Sequence, residues 1–301
     1  MARDLPALII AFRRLDGVQR LMKSLQEAGV VRVFLTIDGP RTPEDLELQI
    51  TIERWATEFA SDFDLELLCL RRDSNLGVGK GIVESIDWFF SQVEFGLVLE
   101  DDLEISDDFV NYVDYCREKF GNHKDLWMIS GDQFFPELFD GTQFGTCNYP
   151  LVWGWATWST KWQEMRAAIV GRHRLNFRYL FSPIYSFWWA GARRVELGLI
   201  DTWDIPLALE MRLQGKLTIT PPTNLVRNLG FDKFASHTKN DLFPMNTKIS
   251  RVIGKFTEVS LLEDKLSLSR SNKKLEGEVF KIRVRHLLSP LKLCIHRIFQ
   301  R

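Results

Sequence analysis

Four short apolar runs separated by amphipathic stretches constrain this chain more than any other feature. The runs are Leu5 to Phe12, Val31 to Ile37, Leu65 to Leu70 and Leu97 to Leu99, each short and apolar enough for a buried strand. Between them Val18, Leu21, Met22 and Leu25 recur at helical spacing, with Asp16 placed to cap. Residues Glu44 to Phe59 read as a second helix, and Val78, Ile82, Ile86 and Phe89 form the apolar stripe of a third. Gly29 ends the first helix, and Asp38-Gly39-Pro40 is a turn sequence after the second strand. Strand and helix therefore alternate with short connections, which predicts an α/β fold with a mostly parallel sheet covered by helices on both faces. Ligands of such sheets collect beyond the carboxyl ends of the strands. Phe12-Arg13-Arg14, Asp38-Gly39, Asn75-Leu76-Gly77 and Asp101-Asp102 all follow strand ends, so they are expected to share one crevice.

The fourth run passes directly into Glu100, Asp101 and Asp102. Three adjacent carboxylates repel one another unless a cation sits among them. A hard divalent ion, Mn²⁺ or Mg²⁺, suits oxygen ligands and keeps positions open for phosphate oxygens; a solvated acidic turn is the alternative. Other chemistries are disfavoured. A net charge of −1 over 301 residues argues against nucleic acid as a partner. The four cysteines form no CxxC pair, so neither a zinc cluster nor a disulfide scaffold is expected, and a reducing cytoplasm is the simplest location. No apolar run approaches the ~18 residues of a spanning helix, and no leader pattern follows Met1. Gly77, Gly79 and Gly81 fail the dinucleotide fingerprint, and Gly79-Lys80 is not followed by the Ser or Thr of a phosphate-binding Walker loop.

Further along, Phe109 to Phe120 reads as a helix, and Trp127 to Ser130 and Thr218 to Thr220 read as strands. Seven tryptophans crowd positions 153 to 203 and are expected to form a second lobe, either as core or as platforms for sugar rings. The terminal segment carries Lys281, Arg283, Arg285, Lys292, Arg297 and Arg301 interleaved with apolar residues. That pattern suits either an anionic membrane surface or a docked terminal helix.

Taken in order, Ala11-Phe12-Arg13-Arg14, Ile37-Asp38-Gly39-Pro40, Asn75-Leu76-Gly77, Leu99-Glu100-Asp101-Asp102, Gly154-Trp155-Ala156-Thr157-Trp158 and Asn228-Leu229-Gly230-Phe231-Asp232 to Ser236-His237-Thr238 resemble a known group. It is the metal-dependent nucleotide-sugar glycosyltransferases of the GT-A fold, particularly bacterial relatives of N-acetylglucosaminyltransferase I. The match spans roughly Leu5 to Thr238. It departs at Arg13 and Leu15, where related sequences more often read Asn-Arg-Pro.

The resemblance implies a Rossmann-like GT-A domain with a nucleotide-sugar half over 1–130, an acceptor and catalytic half over 131–255, and an appendage over 256–301 for membrane or oligomer contact. It implies hexosyl or N-acetylhexosaminyl transfer in polysaccharide biosynthesis; the basic tail adds the alternative of a peripheral place on the inner face of a membrane to the cytoplasmic location. The donor would be a nucleotide-diphosphate sugar, UDP-based, and the acceptor a glycan or lipid-linked saccharide.

In that scheme Asp102 and His237 hold the metal, while Glu100 and Asp101 hold ribose hydroxyls or coordinated waters. Asp38 accepts from base or ribose, unless it merely closes an Asx-turn. Phe12 belongs to the donor side; Arg13 and Arg14 meet phosphate or base edge, or are solvated. Asn75, Gly77 and Lys80 sit at a helix start suited to an anion, or are loop and cap alone. Asp204 is the general base of an inverting transfer, with Asp201 and then Glu210 as fallbacks; Asp204 is equally placed as a helix cap. Trp155 and Trp203 are the expected exposed rings for the acceptor. Two rival classes are a divalent-metal phosphohydrolase or nucleotidyltransferase, and a non-catalytic carbohydrate-binding module.

Overall fold

The computed structural model describes residues 3–138, 144–174, 181–230 and 268–277. The first half follows the expected alternation: β1 (Ala7–Ala11), α1 (Leu15–Glu27), β2 (Arg32–Ile37), α2 (Pro43–Asp62), β3 (Glu66–Arg71), α3 (Gly77–Phe90) and β4 (Phe95–Glu100). After it come β5 (Leu103–Ile105), α4 (Phe109–Phe120), β6 (Leu126–Ser130), β7 (Gly145–Cys147) and β8 (Trp155–Trp158). Helices α5 (Ser159–Val170), α6 (Pro183–Glu196) and α7 (Asp204–Gln214), strands β9 (Leu217–Thr220) and β10 (Val226–Asn228), and a helix over 268–277 (α8) complete the described chain.

Eight strands form one sheet in the order β3-β2-β1-β4-β8-β6-β9-β7. β1, β2, β3 and β4 are parallel, β8 runs antiparallel to both β4 and β6, and β6 is parallel to β9. The Trp-rich region thus supplies a strand to the middle of the same sheet instead of building a separate lobe. Strand alternation sorts the core into two layers. Ala7, Ile9, Val33, Leu35, Leu97 and Leu99 face α1, α2 and α4, while Leu8, Phe34 and Val98 face α3, α5 and α7. Each of the Val, Leu, Ile and Phe side chains among them, fully buried, contributes about 1.5–3 kcal/mol, so both layers are needed to hold the sheet.

Four tryptophans join the second layer. Trp127, Trp155, Trp162 and Trp203 are each 3 % exposed or less, with Trp155 stacked on Trp203 at 5.8 Å between ring centroids. The indole N–H of Trp162 donates to Asp87 Oδ1 at 2.8 Å, and that of Trp127 to Glu164 Oε2 at 3.1 Å. The expectation that Trp155 and Trp203 are exposed is therefore corrected: their rings fill the space between the sheet and helices α5 and α7.

Part of the C-terminal segment is docked. On α8, the Asn272 side chain exchanges hydrogen bonds with Asn148, and Glu276 accepts from the Tyr149 hydroxyl at 2.7 Å and from Arg212 at 3.1 Å. Residues 281–301, the basic tail, lie outside the described residues.

Candidate active site

The carboxyl ends of β1, β2 and β4 open onto a cleft of about 340 Å³, lined by Phe12, Arg13, Arg14, Asp38, Arg41, Asn75, Gly77, Glu100, Asp101, Asp102 and Asp201 among others. Four segments separated by up to ninety residues in sequence meet there because parallel strands deliver their trailing loops to one edge.

Glu100 ends β4, and the chain turns through Asp101 and Asp102 into β5. Asp101 Oδ2 accepts the Phe12 N–H at 2.9 Å, which ties the β1 loop to the β4 loop. The Arg14 guanidinium reaches Asp101 Oδ1 at 3.3 Å and Asp102 Oδ2 at 3.1 Å. Arg14, joined by the charge of Arg20 near Asp102, does not offset the burial and mutual repulsion of the three carboxylates. Burial, then the charges of Asp102, Asp101 and Asp204, push Glu100 well above the usual carboxylate range. Burial and Asp102 raise Asp101 to about 6 in spite of the Phe12 N–H and Arg14, and burial raises Asp102 against the pull of Arg14.

β10 pairs antiparallel with β5 and carries the chain back over the acids. The Leu229 N–H donates to the Asp102 carbonyl at 2.7 Å, and Gly230 sits so close that a Cβ there would lie 2.3 Å from Asp102 Oδ2. Asn228-Leu229-Gly230 and Asp102, distant in sequence, therefore meet. His237 lies outside the described residues.

The helix start at α3 departs from expectation. Asp38 accepts from the backbone N–H groups of Leu76 and Gly77 at 3.0 and 3.1 Å and from Asn75 Nδ2 at 2.9 Å. Asp201 accepts from those of Val78 and Gly79 at 2.9 and 2.8 Å. Two carboxylates from the chain itself thus occupy the N–H groups that would otherwise hold an anion. Lys80 points away, 65 % exposed and 3.6 Å from Glu84. The anion site expected at Asn75, Gly77 and Lys80 is corrected to a doubly capped helix that joins three cleft loops.

Of the two base candidates, Asp201 has both oxygens engaged in that cap. Asp204 opens α7, half-buried, accepts from the Thr202 hydroxyl, and lies near enough to Glu100 to add to its repulsion. Glu210 instead accepts from buried His173 at 3.1 Å.

Sequence reasoning missed several residues that shape the cleft. Asp45, 3 % exposed, accepts the Arg41 N–H at 3.1 Å and pairs with Arg13 at 3.5 Å, while the Arg41 guanidinium lies 4.3 Å above the Phe12 ring. Gln49 Nε2 donates to the Asp38 carbonyl at 2.9 Å. Their polarity inside an otherwise amphipathic α2 was the available signal.

Asp132, just beyond β6 and outside the cleft lining, is a further buried acid that sequence reasoning missed. It is 1 % exposed; one oxygen accepts the Trp153 N–H at 3.1 Å and the second has no partner. Burial holds its pKa well above the usual range. Because the folded pKa exceeds the unfolded one, its contribution is present at low pH and lost as pH rises through the folded value. Asp132→Asn keeps the acceptor for Trp153 without a proton to lose. The variant is expected to gain stability relative to wild type as pH rises from about 4, the ordinary Asp value, toward the raised folded value, read by thermal melts at each pH; a constant difference would contradict a raised folded pKa for Asp132.

Among the described residues, no group of three or more His, Cys, Asp or Glu side chains is arranged to hold a metal unaided. An Mg²⁺-type ion fits the donors nonetheless, since such ions use one or two carboxylates and complete their shells with water and substrate phosphate.

No family model and no curated protein matches this chain. Solved structures do resemble it. A putative glucose-1-phosphate thymidylyltransferase from Bacillus anthracis, in complex with a sucrose, aligns over 85 % of this chain and 100 % of its own at 11 % identity, TM-score 0.41. UDP-glucose pyrophosphorylase complexed with UDP-glucose aligns over 73 % and 90 % at 11 % identity, TM-score 0.37. HddC from Yersinia pseudotuberculosis, complexed with GMP-PN, aligns over 37 % of this chain at 14 % identity, TM-score 0.29, so the chain spans about half the length of that protein, 54 %. All three scores are below 0.5, and the functional reading therefore rests on the geometry of the cleft.

Proposed function

We propose that this chain is a metal-dependent glycosyltransferase that uses a nucleotide-diphosphate sugar, UDP-based, and a glycan or lipid-linked acceptor. The observation that carries the reading is the cluster at the end of β4: three adjacent carboxylates, raised in pKa by burial although Arg14 contacts two of them and Arg20 lies near Asp102, face a cleft wide enough for a nucleotide. A diphosphate would be repelled by that floor unless a divalent cation bridged the two. Mn²⁺ or Mg²⁺, when bound, supplies Lewis-acid stabilisation of the diphosphate leaving group.

The residues have separable parts in this proposal. Asp102, with His237 from outside the described residues, would hold the ion. Asp101 fixes the β1 loop through the Phe12 N–H and keeps Phe12 and Arg41 at the nucleotide side. Glu100 is near enough to both Asp102 and Asp204 to be raised by their charges. Asp204 takes the proton of the acceptor hydroxyl as its oxygen attacks the anomeric carbon; the bond to the diphosphate breaks and the electron pair leaves with it, inverting the centre.

Nucleotidyl transfer is the second reading, since a divalent-metal nucleotidyltransferase would also gather acids at strand ends beside a nucleotide-sized cleft. Product analysis separates the two. Incubation with a panel of nucleotide sugars and Mn²⁺ is expected to release nucleoside diphosphate, faster with acceptor and not at all with chelator. Pyrophosphate release from a nucleoside triphosphate and a sugar phosphate would overturn glycosyl transfer in favour of the second reading.

A further inference from the structure

The surface around α6 is built unlike the rest of the molecule. Of its fourteen residues only Ala192 is buried, although Ile184, Phe187, Trp188 and Trp189 line it. Four of the eight large apolar side chains exposed among the described residues fall in this region: Val170, Phe181, Leu197 and Leu199, from 55 to 73 % exposed. Leu197 and Leu199 are held outward by the end of the helix, where the N–H groups of Leu197, Gly198 and Leu199 return to the carbonyls of Arg193, Val195 and Arg194.

Arginines rim the same surface. Arg172, Arg174 and Arg193 line an open hollow of about 620 Å³ beside Leu197, and Arg194 is exposed on the adjoining turn. Glu196, paired with Arg193 at 2.6 Å, is the acid in that hollow. Exposed leucines and an excess of arginines over acids together match the chemistry of a bilayer interface, where apolar side chains insert and cations meet lipid phosphate. A second copy of the chain is the poorer occupant, because a two-fold contact would set this patch against itself and bring its arginines together.

We propose that the corner formed by α6 and residues 170–174 docks on an anionic lipid surface. The inference goes beyond the catalytic reading and concerns where the cleft stands: Leu199 is two residues from Asp201, whose carboxylate caps α3 at the cleft rim. Docking would hold the cleft beside the membrane, within reach of a lipid-linked substrate. No helix among the described residues is long and apolar enough to cross a membrane, so the contact is peripheral.

The test is co-sedimentation of the full chain with phosphatidylglycerol/phosphatidylcholine vesicles, which needs no turnover and so stands apart from the catalytic assay. Wild type is expected to bind, less at high salt, and not to pure phosphatidylcholine. Each arginine near an anionic surface is worth roughly fivefold, so Arg172→Ser with Arg194→Ser lowers binding on the order of 25-fold. Leu197→Asp with Leu199→Asp lowers it at least as much, the basic tail being intact in both. Unchanged melting curves exclude misfolding. Binding that survives both double variants, or is lost only when Lys281, Arg283 and Arg285 are replaced, overturns the proposal. So does a wild-type dimer without vesicle binding that Leu197→Asp with Leu199→Asp converts to monomer.

Discussion

Replacing Asp102 by Asn is expected to lower kcat by on the order of 10²–10³-fold, the usual cost of removing one preorganised charge partner from a site, while the protein melts no lower than wild type. The two halves of that result follow from one observation. Burial disfavours the ionised carboxylate of Asp102 even with Arg14 at 3.1 Å, so the neutral isostere relieves the folded chain of repulsion with its neighbours. The same substitution removes the oxygen charge proposed to hold the ion. A structural role for the acids gives the reverse pattern: Asp102→Asn would lose its partner Arg14, melt lower and keep its activity. Kinetics and a melting curve on one variant separate the two.

Gly17→Ala is expected to destabilise by about 3 kcal/mol, at the upper end of overpacking costs, although alanine in a helix ordinarily gains about 1 kcal/mol over glycine. The sign is set by position. Gly17 lies in the first turn of α1, and a Cβ there would fall 1.7 Å from the carbonyl oxygen of Asp101, backbone that no rotamer change can move. Helix α1 or the acidic turn must shift, and the Phe12–Asp101 bond that ties the two loops shifts with it. A lower melting temperature with impaired nucleotide binding is therefore anticipated; a Gly17→Ala protein more stable than wild type would show that α1 does not pack on the acidic turn.

Much of the first half was legible because its determinants are local. The apolar period placed α4 at Phe109–Phe120 and brought the strands to within a residue or two of their ends, and the alternation of strand and helix required parallel pairing of β1 to β4. What escaped depends on contacts remote in sequence. β8 inserts antiparallel between β4 and β6, a choice that Trp155-Ala156-Thr157-Trp158 does not announce, and that insertion buries the rings expected to be exposed. The pairing of β5 with β10, which brings Gly230 against Asp102, spans more than a hundred residues.

The cleft shows the same division. Strand ends correctly gathered Phe12, Asp38, Asn75 and the three acids, because parallel topology alone decides which edge they share. It does not decide which groups are already satisfied. Asp38 offered a base or ribose acceptor or an Asx-turn, and Asp201 a fallback base, yet each accepts two backbone N–H groups at the start of α3. Gly17 carried a usable signal, since an isolated glycine in a helical pattern points to close packing.

Titration calorimetry with UDP tests the account most directly. With Mn²⁺ present the wild-type protein is expected to give a saturable heat, with chelator none, and with Asp102→Asn none or nearly none in either condition. Binding of equal strength in chelator, or undiminished in Asp102→Asn, would contradict a cation held between the acids of β4 and a diphosphate.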